Sequence, residues 1–203
     1  MQHNVKYYAS EIDKYPIKVT QANFPNTIQL GDIQDIQPYQ WQQSTDILVG
    51  GSPCQGFSFA GKQLNFADER SKLFFEFVRL RDKLKPKYFL LENVVMKKEY
   101  QDVISSYLGV QPLMLNSSLF TAQNRKRLYW TNFPIDCDIQ DKNIILQDIL
   151  EEDGIACKEM TNVNGKSHCL TATYNGAVWW NSIQRKQRTM VGCIEVGHAE
   201  EYA

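Results

Sequence analysis

The chain contains no run near the roughly 18 consecutive apolar residues that a membrane-spanning helix needs. Its opening residues, Met1 to Tyr8, hold no apolar segment of the kind a secretory leader carries. A cytoplasmic protein without membrane contact is therefore expected. Cysteine is scarce and unpaired: the five residues Cys54, Cys137, Cys157, Cys169 and Cys193 are scattered, with no C-x-x-C spacing. This argues against a structural zinc framework and a closed set of disulfides, and leaves reduced thiols and no metal site as the expectation. Charge of one sign is also lacking, since a net charge of -1 offers a polyanion no global footprint. Only Thr161 to Gly192 is locally basic, with Lys166, Arg185, Lys186 and Arg188 and no acidic residue. On charge alone that stretch reads first as a solvated surface loop.

What is present suffices for one sizeable core and a second, smaller lobe: 203 residues, 43% of them hydrophobic. The first two-thirds alternate β-rich runs with helical patterns. Val5 to Ala9, Asp46 to Val49 and Tyr88 to Leu91 read as strands. The clearest helix covers Glu69 to Leu84, where Leu73, Phe77, Leu80 and Leu84 recur at helical spacing. Asp68 and Glu69 suit its start, Lys83 and Lys85 its end, and Pro86 blocks continuation. This alternation predicts an α/β fold with a mostly parallel sheet, whose ligands sit beyond the carboxyl ends of the strands. After about Asp136 Gly, Asn and Thr become frequent and long helical periodicity is lost. Residues 1–136 are accordingly read as one domain and 137–203 as an irregular, β-containing lobe.

Several residues at the expected strand ends carry chemical potential. The strand Asp46 to Val49 runs into Gly50-Gly51-Ser52-Pro53-Cys54-Gln55-Gly56-Phe57-Ser58. Glycines there permit a tight turn, and Pro53 fixes the backbone just before the thiol. Cys54 reads equally as a presented nucleophile and as a small buried hydrophobe. The next strand leads into Glu92-Asn93-Val94, where an isolated carboxylate is more simply a solvated charge. In Gln123-Asn124-Arg125-Lys126-Arg127, alternation puts Gln123, Arg125 and Arg127 on one face. A basic strand edge that deters aggregation is the plain alternative.

Taken together, and in this order, Pro53-Cys54 in a Gly-rich turn, Glu92-Asn93-Val94 and Gln123-x-Arg125-x-Arg127 resemble the three central motifs of the DNA cytosine-5 methyltransferases. Leu73-Phe74-Phe75-Glu76-Phe77 is similar to the animal de novo branch, and Cys54-Gln55-Gly56-Phe57-Ser58 to bacterial and phage members. The resemblance is close from Tyr8 to Trp130 and looser beyond. It implies a Rossmann-like sheet that uses S-adenosylmethionine, followed by a partial target-recognition lobe, acting on double-stranded DNA. By the same resemblance, Cys54 is the nucleophile toward carbon 6 of cytosine. Protonated Glu92 donates at ring nitrogen 3, Arg127 holds the base carbonyl and Arg125 supports the site. The target base leaves the duplex stack before attack, and the Gln55 to Asp68 loop resembles the family's mobile lid. For the cofactor, Glu11 is placed to accept from ribose hydroxyls and Asp32 from the adenine amino group. Ile12 and Ile33 pack on the ring, and Pro53 borders the pocket. Without the motifs, Glu11 and Asp32 would read as helix-start caps or surface charges.

The family's opening Phe-x-Gly-x-Gly turn and its closing Leu-Thr-x-x-Glu and Gly-Asn-x-x segments have no counterpart in this sequence. The resemblance thus implies a central piece or a shortened member, whose further segments a second polypeptide could supply. Cys169-Leu170-Thr171-Ala172-Thr173, Trp179, Trp180 and the basic residues Arg185 to Arg188 resemble recognition-lobe sequence, with phosphate contact expected ahead of base reading. Trp179 and Trp180 read as core residues otherwise. Two alternatives stand beside DNA methylation: the same chemistry on transfer RNA, and a non-catalytic relative that binds DNA or a full-length enzyme.

Overall fold

The structure is a computed structural model that describes residues 5–38, 44–52, 69–136, 138–152, 154–156, 161–162, 164–169, 184, 189 and 191–193. Pro53, Cys54, the loop that follows them, Trp179, Trp180 and Arg185 to Arg188 lie outside the described residues. The chain forms two compact units. The first comprises Met1–Pro112 with Tyr129–Phe133, the second Leu113–Leu128 with Pro134–Ala203. Among the described residues no helix is long and apolar enough to cross a membrane.

In the first unit, β1 (Tyr8–Ala9) pairs in parallel with β2 (Ile28–Gln29). Between them runs α1 (Lys14–Asn23), started by Asp13, whose side chain accepts from the Tyr15 amide at 2.9 Å. The first strand is shorter than its β-rich run because its partner is short. β2 is confined between the turn that bonds Thr27 N to Phe24 O (3.0 Å) and Gly31, whose φ of 74° turns the chain away.

A second parallel pair joins β3 (Ile47–Gly51) to β4 (Tyr88–Val94), in a register that sets Gly51 opposite Glu92. Both strands run further than their sequence patterns suggest. Gly50 pairs with Leu91, and Gly51 stays in the ladder because β4 continues to Glu92 to face it, so Glu92-Asn93-Val94 belongs to the strand itself. The crossover helix α2 (Glu69–Leu84) has the bounds read from its periodicity. It stops where Lys85 adopts a φ of 47° and donates its amide to Arg81 O at 2.9 Å, directly before Pro86.

The core of this unit collects Phe74, Phe77 and Leu80 of α2, Phe89 and Leu91 of β4, and Ile104 and Leu108 of α3 (Lys98–Leu108). Trp130, wholly buried, completes it and donates from its indole nitrogen to Ser105 Oγ at 2.9 Å. Asn132 staples the start of β4, accepting from Phe89 N at 2.8 Å and donating to Lys87 O at 3.1 Å.

The second unit contains β5 (Leu113–Asn116), the Lys126–Leu128 part of β6 (Lys126–Thr131), and the antiparallel pair β7 (Gly154–Ala156) with β8 (Val191–Cys193). Its organising centre is Lys166, only 3% exposed, and not the solvated loop residue that local charge suggests. Its ammonium donates to the carbonyls of Ser118, Thr121 and Ile144, and Asp141 lies 3.5 Å away. Three loops that form no regular ladder with one another are thereby tied to one point charge. An ammonium buried this deeply is tolerable because its donors are satisfied and an opposite charge is near. Replacing it by an apolar side chain would strand the three carbonyls. Lys166→Met is expected to lower the unfolding free energy by roughly 3 kcal/mol, read as a fall in the midpoint of urea denaturation.

Candidate functional site

A cavity of about 230 Å³ opens in the first unit at the carboxyl ends of three strands. Its rim is Ser10, Glu11 and Ile12 after β1, Gly31, Asp32 and Ile33 after β2, and Gly50, Gly51 and Ser52 at the end of β3. Leu73 and Phe77 of α2 and Leu91 of β4 form its apolar wall. Ligands of open α/β sheets bind at such strand ends.

Each polar loop of the rim is pre-folded by its own carboxylate. Glu11 Oε1 accepts from the amides of Ile12 (2.7 Å) and Asp13 (2.8 Å), leaving Oε2 for another donor. Asp32 starts the 3-10 turn Ile33–Asp35, accepting from Gln34 N at 2.9 Å. Ser10 Oγ joins the two loops by donating to Gly31 O at 2.7 Å. The capping roles that Glu11 and Asp32 would play without any ligand are therefore present, and both residues also line the cavity. Ile12 is 74% exposed and Ile33 half-buried. The four residues Glu11, Ile12, Asp32 and Ile33 are thus brought together, while Pro53 lies outside the described residues.

The glycines set the third side. A Cβ on Gly50 would meet the Phe77 ring at 2.6 and 2.9 Å, so helix and strand can approach this closely only without a side chain there. Phe77 reads in the sequence as an ordinary core position of α2. Its place on the cavity wall depends on Gly50, which the helical pattern cannot reveal.

Glu92, half-buried, has its Oε2 beside Gly51, 3.4 Å from where a Cβ on that residue would lie. The adjacent Asn93 is 2% exposed and fully used. Its Nδ2 donates to Ser52 Oγ (2.9 Å) and Ser52 O (3.3 Å), and its Oδ1 accepts from Val94 N at 2.8 Å. Asn93 therefore fixes the last described residue before Pro53 and Cys54. In the sequence Asn93 stands only as the middle of Glu92-Asn93-Val94, because its partner Ser52 lies forty-one residues away and leaves no local signal.

Arg125 and Arg127 belong to the second unit. Arg125 Nη1 lies 3.1 Å and Arg127 Nη2 3.8 Å from Cys169 Sγ, so both guanidiniums share one face, as strand alternation requires. Asn116 holds the strand entry: its Oδ1 accepts from Arg125 N at 3.0 Å and its Nδ2 donates to Asn124 Oδ1 at 2.9 Å. Arg127 Nη1 also donates to Lys126 O at 2.7 Å. Cys169 was read as recognition-lobe sequence; its contact with the two arginines spans more than forty residues and has no local signature. Among the described residues no three His, Cys, Asp or Glu side chains gather in a way that could hold a metal ion.

A cavity at the strand ends is where open α/β sheets bind their ligands, which places this chain among ligand-binding α/β proteins. The comparisons narrow this. The family model described as C-5 cytosine-specific DNA methylase matches residues 2–196. The type II methyltransferase M1.ScrFI of Lactococcus lactis subsp. cremoris is 42% identical over 137 residues, covering 62% of this chain and 35% of that protein. The type II methyltransferase M.NlaIV of Neisseria lactamica is 45% identical over 144 residues, 61% of this chain and 33% of that protein. The orphan methyltransferase M.SPRI of Bacillus phage SPR is 38% identical over 136 residues, 59% and 30% respectively. A crystal structure described as a DNA modification methyltransferase encoded within an Escherichia coli prophage superposes with a TM-score of 0.51 at 26% identity, covering 62% of this chain and 39% of that one. This chain belongs to the C-5 cytosine-specific DNA methylase family, and its fold is the Rossmann-like sheet of those methyltransferases. The family draws its methyl group from S-adenosylmethionine. The chain spans about a third of the length of the relatives it matches.

The Asn93 contacts can be removed by a side chain of the same branched shape that carries no polar atom. Asn93→Leu is expected to cost about 2 kcal/mol of stability, because Ser52 loses its partner while the site stays closed to water. Thermal unfolding followed by circular dichroism would check it.

Proposed function

We propose that this chain carries the catalytic and cofactor-binding centre of a DNA cytosine-5 methyltransferase that acts on double-stranded DNA in a bacterial cytoplasm. The observation that carries this reading is the cavity at the strand ends, lined by Glu11 and Asp32 in a chain of this family. Its mixture of carboxylates and apolar side chains suits an adenosyl group. Glu11 keeps an oxygen for ribose hydroxyls, and Asp32 offers an acceptor to the adenine amino group. Ile12 and Ile33 supply apolar contact to the ring, and Gly50 and Gly51 leave room for close approach. Pro53 completes this set by its position in the motif. When bound, S-adenosylmethionine supplies the methyl group as an electrophilic sulfonium.

The chain's own residues then prepare the base. Carbon 5 of cytosine is a weak nucleophile until a thiolate adds at carbon 6, and Cys54 is assigned that attack. Charge that gathers on the ring is neutralised by a proton from Glu92 at nitrogen 3, and the base carbonyl is held by Arg127. Arg125 supports that arrangement. Carbon 5 takes the methyl group and releases the demethylated cofactor. A base then removes the hydrogen of carbon 5 as a proton, the electron pair forms the 5,6 double bond and expels the Cys54 thiolate, and nitrogen 3 returns its proton to Glu92. The target cytosine must be extruded from the duplex for this geometry.

Two measurements test the reading. DNA containing 5-fluorocytosine, incubated with the chain and S-adenosylmethionine, is expected to form an adduct that survives denaturing electrophoresis, because fluorine blocks the final elimination. The adduct should be absent from Cys54→Ser; persistence in that variant would assign the nucleophile wrongly. Methyl transfer from labelled cofactor should favour duplex DNA over transfer RNA, and the opposite preference would redirect the function. For the cofactor site, Asp32→Ala is expected to weaken S-adenosylhomocysteine by roughly tenfold, about one charge-assisted hydrogen bond, as measured by calorimetry.

A further inference from the structure

The cavity wall formed by Asp32 and Ile33 stands on a single 3-10 turn, Ile33–Asp35. Within the turn Ile33 O accepts only one long bond, from Ile36 N at 3.4 Å. Arg79 of α2 adds donors to that carbonyl and to Ile36 O. Its Nη1 donates to Ile36 O at 2.9 Å and its Nη2 to Ile33 O at 3.1 Å, while Nε donates to Glu76 Oε2 at 2.5 Å. Side-chain exposure is 30% for Arg79 and 24% for Glu76, so the fork is partly shielded from water. A guanidinium presents its donors in a fixed plane, and three of them engaged at once leave it little freedom.

The same helix supplies Leu73 and Phe77 to the cavity lining. One element therefore forms the apolar part of the wall and, through Arg79, also holds the part that carries Asp32 and Ile33. We propose that Arg79, oriented by Glu76, is a positioning residue that fixes the Asp32–Ile33 wall relative to α2 and so determines selectivity for the base of the bound nucleoside without contacting it. This rests on the reading that the cavity holds an adenosyl ligand with Asp32 at the amino group.

The test uses the full chain and two probes, S-adenosylhomocysteine and its inosine counterpart, in which oxygen replaces the amino group. Calorimetry would compare unmodified protein with Arg79→Lys, Glu76→Gln and a control, Arg81→Lys. Arg81 is a guanidinium of the same helix that bonds elsewhere, to Asp82 and to Tyr107 O. The unmodified chain should prefer the adenine probe. Arg79→Lys, which loses the planar fork and the Nε donor that Glu76 orients, should lose about tenfold toward that probe and much less toward the inosine probe, so the preference narrows. Glu76→Gln should narrow it less, and it carries the comparison if Arg79→Lys does not fold. Arg81→Lys should leave the preference intact. Unchanged affinities in both Arg79→Lys and Glu76→Gln, or equal losses toward both probes, would overturn the positioning role. An unmodified chain that binds both probes alike would remove Asp32 from the amino group, and with it this proposal. One that binds neither would overturn the adenosyl reading itself.

Discussion

The ring of Phe77 lies directly on the backbone of Gly50, and much of the first unit follows from that contact. It brings α2 against the end of β3 at a distance no side chain on the strand would permit. With the helix so close, Leu73 and Phe77 become a cavity wall instead of interior filling. Arg79 can then reach the carbonyls of Ile33 and Ile36. The register of β3 on β4 adds the second constraint, since it sets Glu92 against Gly51 and lets Asn93 hold Ser52. Helix and strand end are thus fixed by short contacts at two glycines, and Arg79 ties the Asp32 loop to the same helix.

Legibility from sequence followed the range of the interaction. α2 could be read to its observed ends because its periodicity and Pro86 are local signals. Strand ends could not: β1 is limited by the length of β2, and β3 and β4 lengthen each other. Glu11, Ile12, Asp32 and Ile33 were named from resemblance, and all four border one cavity. Lys166 was misread because four basic residues without an acidic neighbour look solvated, whereas burial here depends on carbonyls twenty-two to forty-eight positions away. The contact of Cys169 with Arg125 and Arg127, and that of Arg79 with the 3-10 turn, were illegible for the same reason.

The two units use charge in different ways. In the first, carboxylates sit at chain turns and accept from backbone amides, which settles the loops before any ligand arrives and lowers the ordering cost of binding. In the second, Asp141 and Asp148 do the same, and cations are added to them. Lys166 gathers carbonyls in a site nearly closed to water, and Arg125 and Arg127 both reach the polarisable sulfur of Cys169. A net charge near zero conceals this division, because each sign is spent locally.

The double duty of Glu11 and Asp32 has a consequence for inheritance. Each folds the loop that carries it through the same carboxyl group that faces the cavity. A descendant released from any need for the cofactor would still be selected to keep both acids, since losing either would loosen a loop. Retention of these carboxylates across a lineage therefore records the upkeep of a fold as much as the upkeep of an activity. Gly51 is the more informative marker, because among the described residues a Cβ there would meet nothing closer than Glu92 Oε2 at 3.4 Å, an ordinary contact that alanine could make.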